Sequence, residues 1–294
     1  MLDSIQKKIA QVPVMFATEL DYQVRLLQHR TQLPQLSPQN QEIVKTLRRD
    51  GVYMTSLEEL AIPSTQKMLD VAKNLVVTMS DTPTKQGRQY IAVTTAQLLE
   101  QPDLYLWGLE ERFLNIVENY LAVPSAYCTV TMRRDMADGV QIGPRQWHMD
   151  IEDRRILKII VYLNDVSLDG GPFEYIPKFL TPPARKLKRG GYHPNEAIET
   201  LVPPSKWKPC IGKAGTVIFT DTCSVFHHGR VPVSADRYTI FFTYISKQPK
   251  NPQYCKPRFS GEQLLTLTKN VSERQKSFVY IDDRDYGKRF AKNY

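Results

Sequence analysis

After Pro124 the texture of this chain changes, and that change limits the folds open to it more than any other feature. Residues 127–133, 141–150, 155–165, 215–221 and 237–247 are rich in Val, Ile, Thr, Tyr and Phe and are bounded by Gly, Pro, Asn and Asp. Such segments read as short strands, because β-branched and aromatic side chains suit a pleated surface and the bounding residues suit turns. The stretch before Pro124 reads as helical. Leu20, Val24 and Leu27 recur at i, i+4 and i+7, which predicts one apolar helix face. Ser37-Pro38 can open a helix that Gly51 closes. Residues 55–80 predict two helical pieces broken at Pro63, with Leu57, Leu60, Met68, Leu69, Ala72 and Val76 as core, and residues 108–121 a further helix. Helices first and strands afterwards predict an α+β protein rather than alternating βαβ units.

At 294 residues the chain can bury a sizeable core without crosslinks. Cys128, Cys210, Cys223 and Cys255 are scattered and show no CxxC spacing, which excludes a zinc ribbon and fits free thiols in a reducing cytosol. No apolar run approaches the roughly 20 residues of a membrane span, and the N-terminus lacks the apolar core of a secretory signal, so a cytoplasmic protein without a membrane partner is expected. The net charge of +8 admits nucleic-acid binding. No basic run interleaved with aromatics supports that reading, and a solvated basic surface accounts for the excess.

Within the strand-rich part, Gln146-Trp147-His148-Met149-Asp150 sets a histidine and a carboxylate two residues apart. In a strand, residues i and i+2 share a face, so His148 and Asp150 can aim at one point, while Trp147 turns toward the core. A second stretch, Phe226-His227-His228-Gly229-Arg230, can add a third ligand from His227 or His228. Two histidines and one carboxylate on one face of a metal are the arrangement non-haem Fe(II) uses to keep open positions for substrate and O₂. Pro232, Ser234 and Asp236 carry turn chemistry. A reversal there would bring Arg237 beside the histidine, where a planar guanidinium can hold a carboxylate, with the Thr239 hydroxyl on the same face.

From about residue 127 to 246 the sequence resembles the Fe(II)/2-oxoglutarate-dependent oxygenase superfamily, on its phytanoyl-CoA dioxygenase-like side. QWHMD, KIIVYLNDVSLDGGPFEYIPK, GTVIFTDTCSVFHHG and RYTIFF carry the resemblance. It implies a double-stranded β-helix, a cupin-like jelly roll; it does not extend to the first 85 residues or the last 45 or so, and the N-terminal helices read from the residues themselves are expected to pack around that core. Residues 1–85 would then form a mainly helical region on the barrel, 86–250 the catalytic core with a lid-like insertion at 178–212, and 251–294 an extension with a short helix near 261–269. The resemblance implies His148, Asp150 and His227 as catalytic iron ligands, with His228 the alternative to His227. An H-x-G element, met here as His227-His228-Gly229, favours the first histidine. Arg237 and Thr239 would bind the far carboxylate of 2-oxoglutarate. Lys158 interrupts an apolar strand and Tyr162 shares its face, so both are cofactor-binding candidates, Lys158 with surface snorkelling as the alternative. His228 would then stand behind the ligands or face substrate, and Arg133 is a further candidate to face substrate. Lys178-Phe179-Leu180 replaces the Gly-Ser-His ending common after the family's GG turn, which leaves substrate contacts there open.

The expected reaction consumes 2-oxoglutarate and O₂, releases succinate and CO₂, and hydroxylates an unactivated C–H bond of a small molecule. The Asp150 carboxylate argues against halogenation, which in this superfamily needs a small residue at that place. Action on a protein or nucleic-acid residue, or a non-catalytic binding module on the same barrel, are the alternatives.

Overall fold

The computed structural model describes residues 17–82, 89–182, 191–255 and 257–279. The remaining parts of the expected N-terminal region, insertion and C-terminal extension lie outside the described residues. Helix α1 spans residues 17–29. It is followed by α2 (Pro38–Asp50), β1 (Val52–Ser56), α3 (Leu57–Leu60), α4 (Thr65–Ser80), β2 (Tyr90–Ala92), α5 (Thr95–Glu100), α6 (Pro102–Trp107) and α7 (Glu111–Leu121). Then come β3 (Ser125–Asp135), β4 (Leu157–Tyr162), β5 (Phe173–Tyr175), α8 (Asn195–Glu199), β6 (Lys208–Pro209), β7 (Thr216–Asp221), β8 (His227–Gly229), β9 (Arg237–Ser246), α9 (Gly261–Leu267) and α10 (Glu273–Ser277). This is a mixed helical and antiparallel-sheet protein. A six-stranded sheet runs β1-β7-β4-β9-β3-β2 and a three-stranded sheet runs β6-β5-β8.

The period-2 alternation of the central strands decides where the core and the cavity lie. Leu157, Ile159 and Val161 of β4, Ile240, Phe242 and Tyr244 of β9, and Val130 and Met132 of β3 are buried in one apolar core shared with the helices. There α7 crosses β3, β4 and β9, while Trp107 of α6 packs on Phe113 and Phe242 at ring-centroid distances of 4.5 and 4.9 Å. Each such ring stabilises the fold by roughly 1.5–3 kcal/mol through removal from water. The alternate residues, Lys158, Ile160 and Tyr162, Thr239, Phe241 and Thr243, and Thr129, Thr131 and Arg133, line a cavity on the other face.

Helix α2 starts and stops where the sequence places it. The Ser37 hydroxyl accepts from the Asn40 amide, and Gly51 ends the helix at φ 84°, a left-handed conformation glycine adopts without strain. Helix α1 departs from expectation. Its Leu20, Val24 and Leu27 stripe is exposed, and the helix docks instead through buried Tyr22 and His29. The Arg154 guanidinium lies over the Tyr22 ring at 4.4 Å, and the His29 Nε2–Glu118 Oε1 distance is 3.0 Å. Here the polar and aromatic contacts of the opposite face outweighed the aliphatic period.

Two further differences concern strands. Residues 52–56, partly read as helix, form β1 and pair with β7, so the N-terminal region contributes a strand to the main sheet. Residues 141–150, read as a strand, instead contain a 3₁₀ turn at Gly143–Arg145 and make isolated bridges, Trp147 to His193 and His148 to His227, in place of a ladder. Pro144 has no amide hydrogen for a ladder, and Gly143 sits at φ 56°. The proline-rich stretch after Pro177 is anchored in its described parts: Ile198, Val202 and Trp207 form a small core with Trp147, Met149, Ile176 and Phe226. The four cysteines are buried and form no disulfide among the described residues. Among the described residues, no helix is long and apolar enough to cross a membrane.

Candidate metal centre

His148 and His227 lie directly opposite each other in an antiparallel bridge, each amide donating to the other's carbonyl at 2.9 and 3.0 Å. Opposed residues share a face, so their rings meet at a centroid distance of 4.3 Å. Asp150, two residues on, keeps that face because its amide donates to the Thr222 carbonyl at 2.9 Å. One ligand atom from each of His148, Asp150 and His227 lies within 4.8 Å of the other two.

The ring orientations are fixed locally. Nδ1 of His148 lies 2.8 Å from the Gln146 carbonyl, and Nδ1 of His227 lies 3.2 Å from the Val225 carbonyl. A carbonyl only accepts, so each Nδ1 carries the hydrogen and each Nε2 keeps its lone pair, the tautomer a metal needs. Burial, with the neighbouring His148, pushes His227 down to about 3. Burial lowers His148 as well, against the pull of Asp150. Burial alone would raise Asp150, but Lys158 and the two histidines outweigh it and hold the carboxyl well below the usual range. The set at neutral pH is two neutral imidazoles and one carboxylate.

His228 occupies the opposite face. Its Nδ1 lies 2.9 Å from the Arg145 carbonyl and its Nε2 2.8 Å from Glu174 Oε2, and its ring stacks on Trp147 at 4.1 Å. Both ring nitrogens are engaged and the residue is not among those lining the metal-side cavity. Of the two places expected for it, behind the ligands or facing substrate, it takes the first, because strand parity puts His227 and His228 on opposite sides. Trp147 is fully buried on the His228 side.

The cavity beside the three ligands measures about 620 Å³ and also takes in Tyr162, Arg237, Thr239 and Arg133. Arg237 is buried. Its Nη2 and Nε donate to Asp135 Oδ2 at 2.9 and 3.4 Å, and its Nη1 donates to the Gly171 carbonyl. That uses three of the five N–H groups a guanidinium offers. The buried Thr239 hydroxyl has no hydrogen-bond partner among the described residues. Lys158 points inward and pairs with Asp150 Oδ2, so it does not snorkel to the surface. Asp150 and Glu152 outweigh the effect of burial and raise its pKa. The Tyr162 hydroxyl is already committed, donating to the Cys210 carbonyl and accepting from the Phe173 amide, both at 2.9 Å.

Several supporting residues escaped the sequence reading. Asp135 bridges Arg133 and Arg237, with Arg133 Nε at 3.0 Å and Arg237 Nη2 at 2.9 Å. Glu174 holds His228, and buried Arg145 ties together the carbonyls of Gln89, Met136 and Val140 ahead of the ligand-bearing segment. Only the charge of each in a strand-like segment hinted at these roles. Each has a partner 54 or more residues away, beyond what spacing can show.

No family model and no curated protein matches the sequence. Solved structures do match. EctD from S. alaskensis, determined with 2-oxoglutarate and 5-hydroxyectoine, aligns at a TM-score of 0.52 and 18% identity, over 76% of this chain and 83% of that one. This chain has the fold of non-haem, 2-oxoglutarate-dependent enzymes. The same fold is seen in HygX from Streptomyces hygroscopicus, solved with nickel and 2-oxoglutarate (TM-score 0.51, 15% identity, 85% of this chain and 97% of that one). It is seen again in SnoK, a non-haem α-ketoglutarate-dependent carbocyclase of nogalamycin biosynthesis (TM-score 0.51, 17% identity, 74% and 87%).

Proposed function

We propose that this chain is an Fe(II)- and 2-oxoglutarate-dependent dioxygenase that hydroxylates an unactivated C–H bond of a small molecule. The observation that carries the reading is the convergence of His148, Asp150 and His227, with both Nδ1 atoms tied to backbone carbonyls and both Nε2 atoms left to ligate. The donor set, two neutral imidazoles and a carboxylate, suits Fe(II) and occupies one face of it. Bound iron and 2-oxoglutarate would supply the oxidising chemistry, with succinate and CO₂ as co-products.

The chain's own residues do the rest. Arg237, held by Asp135 and the Gly171 carbonyl, keeps two N–H groups for the distal carboxylate of 2-oxoglutarate, and the unpaired Thr239 hydroxyl lies two residues away on the same face. Lys158 neutralises Asp150 and keeps a carboxylate tolerable beside the cavity. The cavity-facing residues of β3, β4 and β9 form the wall beside the reacting centre. The motifs QWHMD and FHHG place the chain, on this reading, toward the phytanoyl-CoA dioxygenase-like branch. The test is succinate release from Fe(II)-loaded protein across a panel of small molecules, with mass spectrometry for a gain of one oxygen. A protein that binds neither metal nor 2-oxoglutarate would refute the proposal.

A further inference from the structure

Of the two guanidiniums that line the cavity among the described residues, Arg133 has the more open fork. It is the cross-strand partner of Thr239 and shares the cavity face with Thr131 and Thr129. Its Nε donates to Asp135 at 3.0 Å, and neither Nη atom has a hydrogen-bond partner among the described residues. Its central carbon lies 4.6 Å from the centre of the Phe241 ring and 5.2 Å from that of Tyr90. The two rings hold the guanidinium by cation–π attraction and fix its orientation.

We infer that Arg133 is the anchor for a carboxylate on the substrate, and that the substrate is therefore a small organic acid. This rests on the reading of the site as a 2-oxoglutarate-dependent oxygenase and names the substrate class for it. Three features carry it. The two arginines differ in depth: the Arg237 side chain is 3% exposed and Arg133 is 17% exposed, beside Tyr90, itself 41% exposed. The deep arginine suits a co-substrate buried under everything that enters later, and the outer one suits a group that arrives last. The fork also offers four N–H groups in one plane, the geometry that matches a planar carboxylate in two parallel hydrogen bonds. The adjoining wall carries the hydroxyl-bearing Thr129, Thr131 and Thr243, which favours a polar body over a long aliphatic tail.

The test uses protein loaded with Mn(II) and 2-oxoglutarate, titrated calorimetrically with benzoate, benzamide and phenyl phosphate as probes of one shape and three head groups. Benzoate is expected to bind roughly tenfold or more tighter than benzamide, the worth of a charge-assisted pair of hydrogen bonds, and tighter than the bulkier tetrahedral phosphate. Arg133→Leu should bring benzoate down to the benzamide level while leaving 2-oxoglutarate binding within twofold. Arg133→Lys, which keeps the charge beside Asp135 but not the fork, should fall between them. Equal binding of benzoate and benzamide, no benzoate binding, a preference for phenyl phosphate, or a benzoate preference that survives Arg133→Leu would each overturn the assignment. So would loss of 2-oxoglutarate binding in Arg133→Leu, which would move Arg133 to the co-substrate. Failure of the wild-type protein to bind 2-oxoglutarate would instead strike the proposed function, and the benzoate preference can be read without it.

Discussion

Replacing Thr239 by valine should weaken 2-oxoglutarate binding without weakening the fold. The side chain is fully buried on β9, and its hydroxyl makes no hydrogen bond to any described residue. Valine keeps the β-branched shape that a strand favours and fills the same space. No protein hydrogen bond is lost, so unfolding without co-substrate should occur at the same or a slightly higher temperature; removal of an unpaired buried hydroxyl can return about 1 kcal/mol. With co-substrate the sign reverses. A hydrogen bond to a charged carboxylate contributes roughly 1.5–3 kcal/mol. Arg237 still holds that carboxylate in the variant, so the lower end applies, about a tenfold rise in Kd. Anaerobic titration of Fe(II)-loaded protein with 2-oxoglutarate, followed by its charge-transfer absorption, measures the second effect, and calorimetric melting measures the first. A variant that melts several degrees lower yet binds 2-oxoglutarate normally would show that the hydroxyl serves the fold and not the co-substrate.

Four further expectations follow from the same geometry. His148→Ala and Asp150→Ala should each lose tight metal binding and metal-dependent succinate formation while keeping the wild-type circular dichroism spectrum; turnover retained in both would remove them as ligands. Arg237→Ala should raise the 2-oxoglutarate requirement more than tenfold, because charge-assisted hydrogen bonds are lost, and an unchanged half-saturation would remove Arg237 from that role. Asp135→Asn should cost about 3–5 kcal/mol at neutral pH, since Arg237 is left buried without its counter-charge. Burial raises Asp135, but Arg133 and Arg237 overcome this and lower it. A depressed carboxyl contributes its stability fully above the unfolded value near 3.8 and loses it as pH falls through the folded value, so urea melts of variant and wild type should converge only in acid. Gly171→Ala should cost about 1 kcal/mol of stability or more, measured as a lower urea midpoint, because φ is 71° and an added Cβ would sit 2.6 Å from the Arg230 carbonyl and from Pro232.

Much of the protein was legible in the residues themselves because the signals are local. Ser37-Pro38 and Gly51 bound a helix through chemistry contained in a single turn, and β4, β7 and β9 announced themselves by composition. The i, i+2 spacing of His148 and Asp150 already placed both on one side, although the segment turned out to join its neighbour by bridges and not as a full strand. Parity alone left His227 and His228 interchangeable, since one residue of slip exchanges them. Only the pairing of His148 with His227, and of Glu174 with His228, decided which imidazole faces the cavity. The same holds for α1, whose regular aliphatic stripe pointed to solvent because Tyr22 and His29 found partners in Arg154 and Glu118, over a hundred and nearly ninety residues away. Asp135, which sets the charge balance between two arginines, could not be read from sequence either: its partner Arg237 lies 102 residues along the chain. What the amino acids determined alone is which groups are available and which neighbours share a face. Which of them meet across the fold is set by strand register and by burial, and those are properties of the whole chain.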